Sequence, residues 1–190
     1  MSYVVLYATP SYAILGGDTR CTIGNTIIDE NYRKVWKLSD RLIAGCSGNA
    51  NSTRHALYLL QNNIKKDFSP YQATRVLTDI ISSVEYKSRF WGKYGNFIIA
   101  GFDEHECVDV YAVLNHEKRE AYKLPVDVDT PLIIGMGSIP EPEIFAYKEM
   151  ATAQGSLLER IKTVICKAAD ISNTINKSVQ FAYVGNFESF

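Results

Sequence analysis

The period of the apolar residues changes in blocks along this 190-residue chain, and the order of the blocks limits the folds open to it. YVVLYA (3–8) and SYAILGGD (11–18) are short, nearly continuous apolar runs joined through a proline turn. Such runs read as strands buried on both faces. GNTIIDENYRKVWKL (24–38) reads as a polar loop leading to a strand around 33–38, and DRLIAGCSG (40–48) as another strand. The spacing then becomes helical: Ala56, Leu57, Leu59, Leu60 and Ile64 share one face of a helix predicted over 49–66. A second helix is predicted over 69–90, with Ser69 as N-cap and Pro70 in its first position. Strands return at 95–103, 107–115, 119–124 and 130–138; helices follow at 141–151 and 156–175, and a strand at 178–186. Segregated blocks of this kind predict an α+β fold rather than an alternating parallel one. Two sheets in the middle with a helix pair on each outer face, a four-layer αββα sandwich, satisfy the order.

Length suits one domain over 1–190, and no repeat, linker or low-complexity tract divides it. The net charge of −1 carries no basic excess, which argues against nucleic acid as a partner. No apolar run is long enough to cross a membrane and no charged-then-apolar leader opens the chain, so the expectation is a non-secreted, cytoplasmic protein. Cys21, Cys46, Cys107 and Cys166 are widely spaced and read as free thiols, chiefly small core residues.

Three features could carry chemistry. Ser2 stands at the tip of the first strand. Removal of Met1, usual before a small residue, gives Ser2 a free α-amine, which titrates near pH 7.7–8.0 and serves as a base beside its own hydroxyl. Asp18 closes the second strand, and a basic stretch with Arg33 and Lys34 lies further on. A buried lysine near that amine lowers the pKa of amine and hydroxyl, and an aspartate keeps the lysine charged and oriented. The glycine-containing turn in AGCSGNANS, between strand and helix, aims backbone N–H groups at one point, as an oxyanion hole needs. Each has a plainer reading alone: serine at position 2 is common, the charges decorate turns, and the glycine serves a tight bend.

Together these stretches resemble the proteasome β subunits and the bacterial two-component ATP-dependent peptidase of proteasome type, both N-terminal nucleophile hydrolases. Without gaps, Ser2 falls on the family's N-terminal threonine, Asp18 and Arg20 on its GD or ADSR motif, and Lys34 on its catalytic lysine; CTIGNTI (21–27) matches an ATxGN stretch. After a one-residue deletion, LIAGCSGN overlays the oxyanion segment and puts that role on Gly48. Cys21, Tyr32, Cys46 and Ala50 correspond to the primary specificity pocket. LIIGMGS and CKAADISNTI extend the resemblance more weakly. It implies the αββα sandwich, hydrolysis of peptide or unfolded protein inside homo-oligomeric rings, a separate ATPase unfoldase, and no metal or organic cofactor.

The sequence departs from the family in several places. Serine replaces threonine, and the lost methyl would have fixed the rotamer, so slower turnover is expected. Met136 stands where the family has a serine at the amine end of the site, with Ser138 two residues on. Thr174 replaces an aspartate, and Asp170 lies one turn earlier. A retained Met1 would leave Ser2 an amide and no base. Two alternatives therefore stand beside the peptidase: a catalytically inactive structural or binding subunit of this fold, and a small-molecule amidase of the same class. DEHEC (103–107) reads as a hairpin turn rather than a metal site, His55 and His116 stand alone, and glycines 16, 17, 24, 45 and 48 form no phosphate loop.

Overall fold

The computed structural model describes residues 2–24, 26–115 and 120–186; Met1 and His116 lie outside them. In chain order the elements are β1 (Tyr3–Thr9), β2 (Tyr12–Asp18), β3 (Cys21–Ile23), β4 (Thr26–Asp29), β5 (Val35–Lys37), β6 (Leu42–Gly48), α1 (Ala50–Asn63), α2 (Pro70–Ser82) and α3 (Val84–Arg89). There follow β7 (Gly95–Phe102), β8 (Val108–Asn115), β9 (Glu120–Leu124), β10 (Leu132–Gly137), α4 (Pro142–Thr152), α5 (Leu157–Ile171) and β11 (Val179–Val184). One antiparallel sheet runs β10-β1-β2-β11 and a second runs β5-β6-β7-β8-β9, while β3 and β4 form a separate hairpin.

Three apolar layers cement the sandwich. Val4, Leu6, Leu15, Ile43 and Ile98 fill the space between the sheets. Leu57, Leu60, Leu77, Phe97 and Ile99 join α1 and α2 to the five-stranded sheet. Tyr3, Val5, Ile14, Ile161 and Ile165 join α4 and α5 to the four-stranded one. Both faces of β1 are thus covered, which is why YVVLYA reads as a continuous apolar run and not an alternating one. Burying each such aliphatic side chain is worth about 1.5–3 kcal/mol.

The helices begin where the side chains dictate. Ser69 and Gln72 close a capping box ahead of Pro70, and Ser156 and Glu159 close another on α5. Asn49 caps α1 by accepting from the Ser52 N–H. The single helix expected over 69–90 is broken. Ser83 has an extended backbone (ψ 150°), ends α2, and accepts from the Tyr86 N–H to start α3. The loop expected over 24–32 holds strand β4, which pairs with β3 just before it in a hairpin, and α5 ends at Ile171 rather than at 175. Cys21 and Cys46 are buried, but Cys107 is exposed and Cys166 half-buried, so the thiols do not share a core role. DEHEC closes a turn, with Asp103 Oδ1 accepting from the His105 and Cys107 N–H groups.

Candidate active site

Ser2 and Tyr3 are held inside the fold. In β1, Tyr3 pairs with Gly137 of β10 and is fully buried. Its hydroxyl donates to the Pro142 carbonyl at 3.0 Å, and Phe145 packs edge-on against its ring. Burial drives the Tyr3 phenol pKa well up, with the nearby Glu149 and Glu143 charges adding to it. Gly137 is required here, because a Cβ would come within 2.1 Å of the Ser2 carbonyl oxygen. Ser138, just past β10, completes the clamp: its N–H donates to the Ser2 carbonyl at 3.1 Å, and its Oγ accepts from the Ser2 N–H at 3.2 Å. Ser2 itself is buried.

Asp18, at the end of β2, is fully buried and accepts from every side. Lys34 Nζ donates to both carboxylate oxygens at 2.7 Å. The Tyr3 N–H donates to Oδ1 at 2.7 Å and the Arg20 N–H to Oδ2 at 3.0 Å. Lys34 is likewise buried. Burial holds its ammonium below the ordinary lysine value, and Asp18 opposes that shift without cancelling it. Through the Tyr3 N–H, the same carboxylate fixes both the lysine and the backbone immediately after Ser2.

Ser2, Cys21, Tyr32, Lys34, Cys46, Gly48, Ala50 and Thr53 line one small cavity of about 10 Å³, space for roughly a single water. The Tyr32 hydroxyl donates to the Ala50 carbonyl at 2.5 Å, and burial pushes its phenol pKa up. Burial raises the Cys46 thiol to about 11. Gly48 has φ +106°, and a Cβ there would meet Gly95 Cα and the Tyr94 carbonyl at 2.7 Å, so only glycine fits. The cavity opens through Cys21, Gly48 and Ala50 into a cleft of about 440 Å³, bounded by the β3–β4 hairpin on one side and Tyr94 on the other.

The structure therefore gathers Ser2, Asp18, Lys34, Ser138, Gly48 and the four expected pocket residues into one place. Other candidates lie elsewhere. Met136 packs between the sheets. Thr174 is buried and its hydroxyl bonds with Ser172, while Asp170 is exposed and pairs with Lys177. A brace invisible in the sequence supports the Asp18 turn. Asn176 Oδ1 accepts from the Thr19 N–H at 2.9 Å, and its amide donates to Glu30 Oε2 at 2.7 Å. Arg20 bridges Glu30 and the Asn173 carbonyl. The Arg20 guanidinium and the Asn176 amide hold the Glu30 carboxyl below its usual range. Asn173 and Asn176 stand more than a hundred residues from Thr19, Arg20 and Glu30 in sequence, so no local signal announces the brace. Thr53, one further wall of the cavity, carried only its helical spacing.

Two sheets face to face, helices outside both, and an N-terminal strand ending at the cavity define the sandwich of the N-terminal nucleophile hydrolases. The chain belongs to the proteasome subunit family, whose model, described as "Proteasome subunit", matches residues 4–116. The chain is 25% identical over 182 residues to the proteasome subunit beta type-1 of Arabidopsis thaliana, covering 87% of this chain and 79% of that protein. It is 28% identical over 98 residues to proteasome subunit beta 1 of Thermococcus onnurineus, covering 48% of this chain and 46% of that one. Among solved structures it resembles eukaryotic HslV from Trypanosoma brucei, with a TM-score of 0.68 at 14% identity, over 97% of this chain and 99% of that one. No helix among the described residues is long and apolar enough to cross a membrane.

Proposed function

We propose that this chain is a proteasome-type peptidase, one domain over 1–190, that hydrolyses peptide bonds through an N-terminal Ser2 freed by removal of Met1. The observation that carries the reading is the shared cavity. Ser2 and a buried Lys34 line it together, while Asp18 holds both Lys34 and the backbone after Ser2. Ser2 Oγ attacks the peptide carbonyl carbon, and its proton passes to the Ser2 α-amine, directly or through a water. The Gly48 N–H stabilises the oxyanion of the tetrahedral intermediate. The C–N bond then breaks as the α-ammonium returns the proton to the leaving amine, which leaves an ester on Ser2. Water, deprotonated by the same amine, hydrolyses the ester and restores the hydroxyl. Lys34 keeps positive charge beside amine and hydroxyl and so favours their deprotonated forms. Ser138 Oγ orients the α-amine. Peptide or unfolded protein lies in the cleft, with Cys21, Tyr32, Cys46 and Ala50 shaping the pocket at its base. The reading includes assembly into homo-oligomeric rings, an ATPase unfoldase for folded substrates and a cytoplasmic setting, and membership of the proteasome subunit family supports it.

If Met1 is retained, the amine is an amide, the base is gone, and the chain is a non-catalytic ring subunit. Hydrolysis of a fluorogenic peptide tests the scheme. Loss of turnover in Lys34→Ala, with the fold intact by circular dichroism, supports it; unchanged turnover in that variant overturns it.

A further inference from the structure

The cleft does not end at the hairpin. Through Asn51 and Lys93 it runs into a second hollow, of about 540 Å³, between α1 and the segment after α3. Arg54, His55, Arg89 and Lys93 stand around this hollow with Tyr58 and Phe90, and no acidic side chain lines it. Among the described residues, none of Arg54, Arg89 and Lys93 has a carboxylate within ion-pair distance, so the three charges that line the hollow stand together without a counter-charge. Arg54, Arg89 and Lys93 are exposed. On one wall His55 packs at a tilt of 50° against Phe90, 5.3 Å between centroids, and the Arg89 guanidinium lies 5.4 Å from the centroid of the same ring. α1 lines both spaces, the small cavity beside Ser2 through Ala50 and Thr53 and the hollow through Asn51, Arg54, His55 and Tyr58.

Converging unpaired cations without a counter-charge form a site for an anion. Continuity with the cleft says where the anion comes from: a peptide in the cleft can send a side chain past Asn51 and Lys93. We propose that this hollow is a subsite for an acidic side chain of the bound peptide, so that the protein favours substrates carrying Glu or Asp away from the cleaved bond. The proposal rests on the peptidase reading for the nature of its ligand. Lys93, on the wall shared with the cleft, and Arg54, about one turn along α1 from the shared Asn51, set the preference, and Arg89 reinforces them.

The test uses the Ser2→Ala protein, so that binding is read whether or not Ser2 is the nucleophile. Fluorescein-labelled decapeptides with Glu at alternate positions are compared with their Gln counterparts by anisotropy at low ionic strength. The Glu peptides are expected to bind about tenfold more tightly, the sum of a few exposed ion pairs, and the advantage shrinks with added salt. In Arg54→Gln/Lys93→Gln the two series bind within about twofold of each other. Should that double variant fail to fold, Arg89→Gln/Lys93→Gln carries the same comparison. Equal affinity for the two series in the Ser2→Ala protein overturns the proposal, as does an acidic preference that survives the double variant. Inorganic phosphate that binds the hollow below millimolar concentration without any preference between the peptides overturns the peptide assignment and leaves a free-anion site. If the peptidase reading itself fails, turnover is missing from the native protein while these binding arms still give their answer.

Discussion

Replacing Lys34 by methionine removes the cation beneath Ser2 while keeping most of its volume. Asp18, fully buried, is then left with the Tyr3 and Arg20 N–H groups but no counter-charge. Replacing Asp18 by asparagine does the converse and strands a buried ammonium. Breaking a buried pair from one side costs about 3–5 kcal/mol, because the remaining charge is desolvated and unmatched. Neither group is exposed, so solvent screening gives no discount. For a chain of this length, such a loss lowers Tm by about 6–20 °C. The double variant Asp18→Asn/Lys34→Met has no stranded charge. It is expected to be more stable than the sum of the single changes implies, by about 2–3 kcal/mol. Urea unfolding of all four proteins at one protein concentration gives the cycle. Additivity within about 0.5 kcal/mol would refute the coupling drawn between these two groups. The pH dependence supplies a second reading. Burial holds Lys34 below 10.5 in the folded state, so between its lowered value and 10.5 the unfolded chain binds the extra proton. Stability gained from this group therefore rises with pH across that window, and the wild type minus Lys34→Met difference is expected to slope upward there.

Cys46 has the opposite sign. Burial raises its thiol to about 11 in the folded state from an ordinary cysteine value of 9.0, so the folded state retains the proton across that window and stability falls as pH rises from 9 to 11. Cys46→Ala is expected to flatten that fall in denaturant titrations at several pH values, and iodoacetamide at neutral pH is expected to label exposed Cys107 while sparing Cys46. Asn176→Ala leaves the buried Thr19 N–H without its acceptor and is expected to cost about 1–3 kcal/mol in urea unfolding. Gly48→Ala forces a side chain into positive φ and against Gly95 and Tyr94; a stability loss of about 1–3 kcal/mol, with weaker peptide binding in the cleft, is expected by unfolding and anisotropy.

The layers were legible because their patterns are local. Tyr3 to Ala8 is apolar without alternation, since a sheet covers one face and helices the other, and Ser69-Pro70 with Gln72 marks a helix start. The β3–β4 hairpin was missed because all of Thr26–Asp29 is exposed, so burial imposes no alternation on it. The break at Ser83 was missed because Val84–Arg89 resumes a helical period; only the backbone of one residue turns the chain. In the site, the grouping of Ser2, Asp18 and Lys34 came from the resemblance to the proteasome family rather than from local pattern; two neighbouring strands and the segment leading into β5 bring the three together. Whether Ser138 reaches Ser2 was not. Positions 136 and 138 share a face by strand alternation, and the end of β10 decides that Met136 fills the inter-sheet layer while Ser138 meets the Ser2 N–H. The Asn176 brace depends on a turn folding back over a distant one, and no pattern in sequence encodes that.

The most direct measurement of the Ser2 mechanism is the intact mass of the untagged protein after exposure to an electrophile that captures a hydroxyl and an adjacent amine together. The expected result is the chain without Met1 carrying one adduct, mapped to Ser2 and absent from Ser2→Ala. A chain that keeps Met1 and takes up no adduct would contradict it, and the protein would then stand as a non-catalytic member of the family.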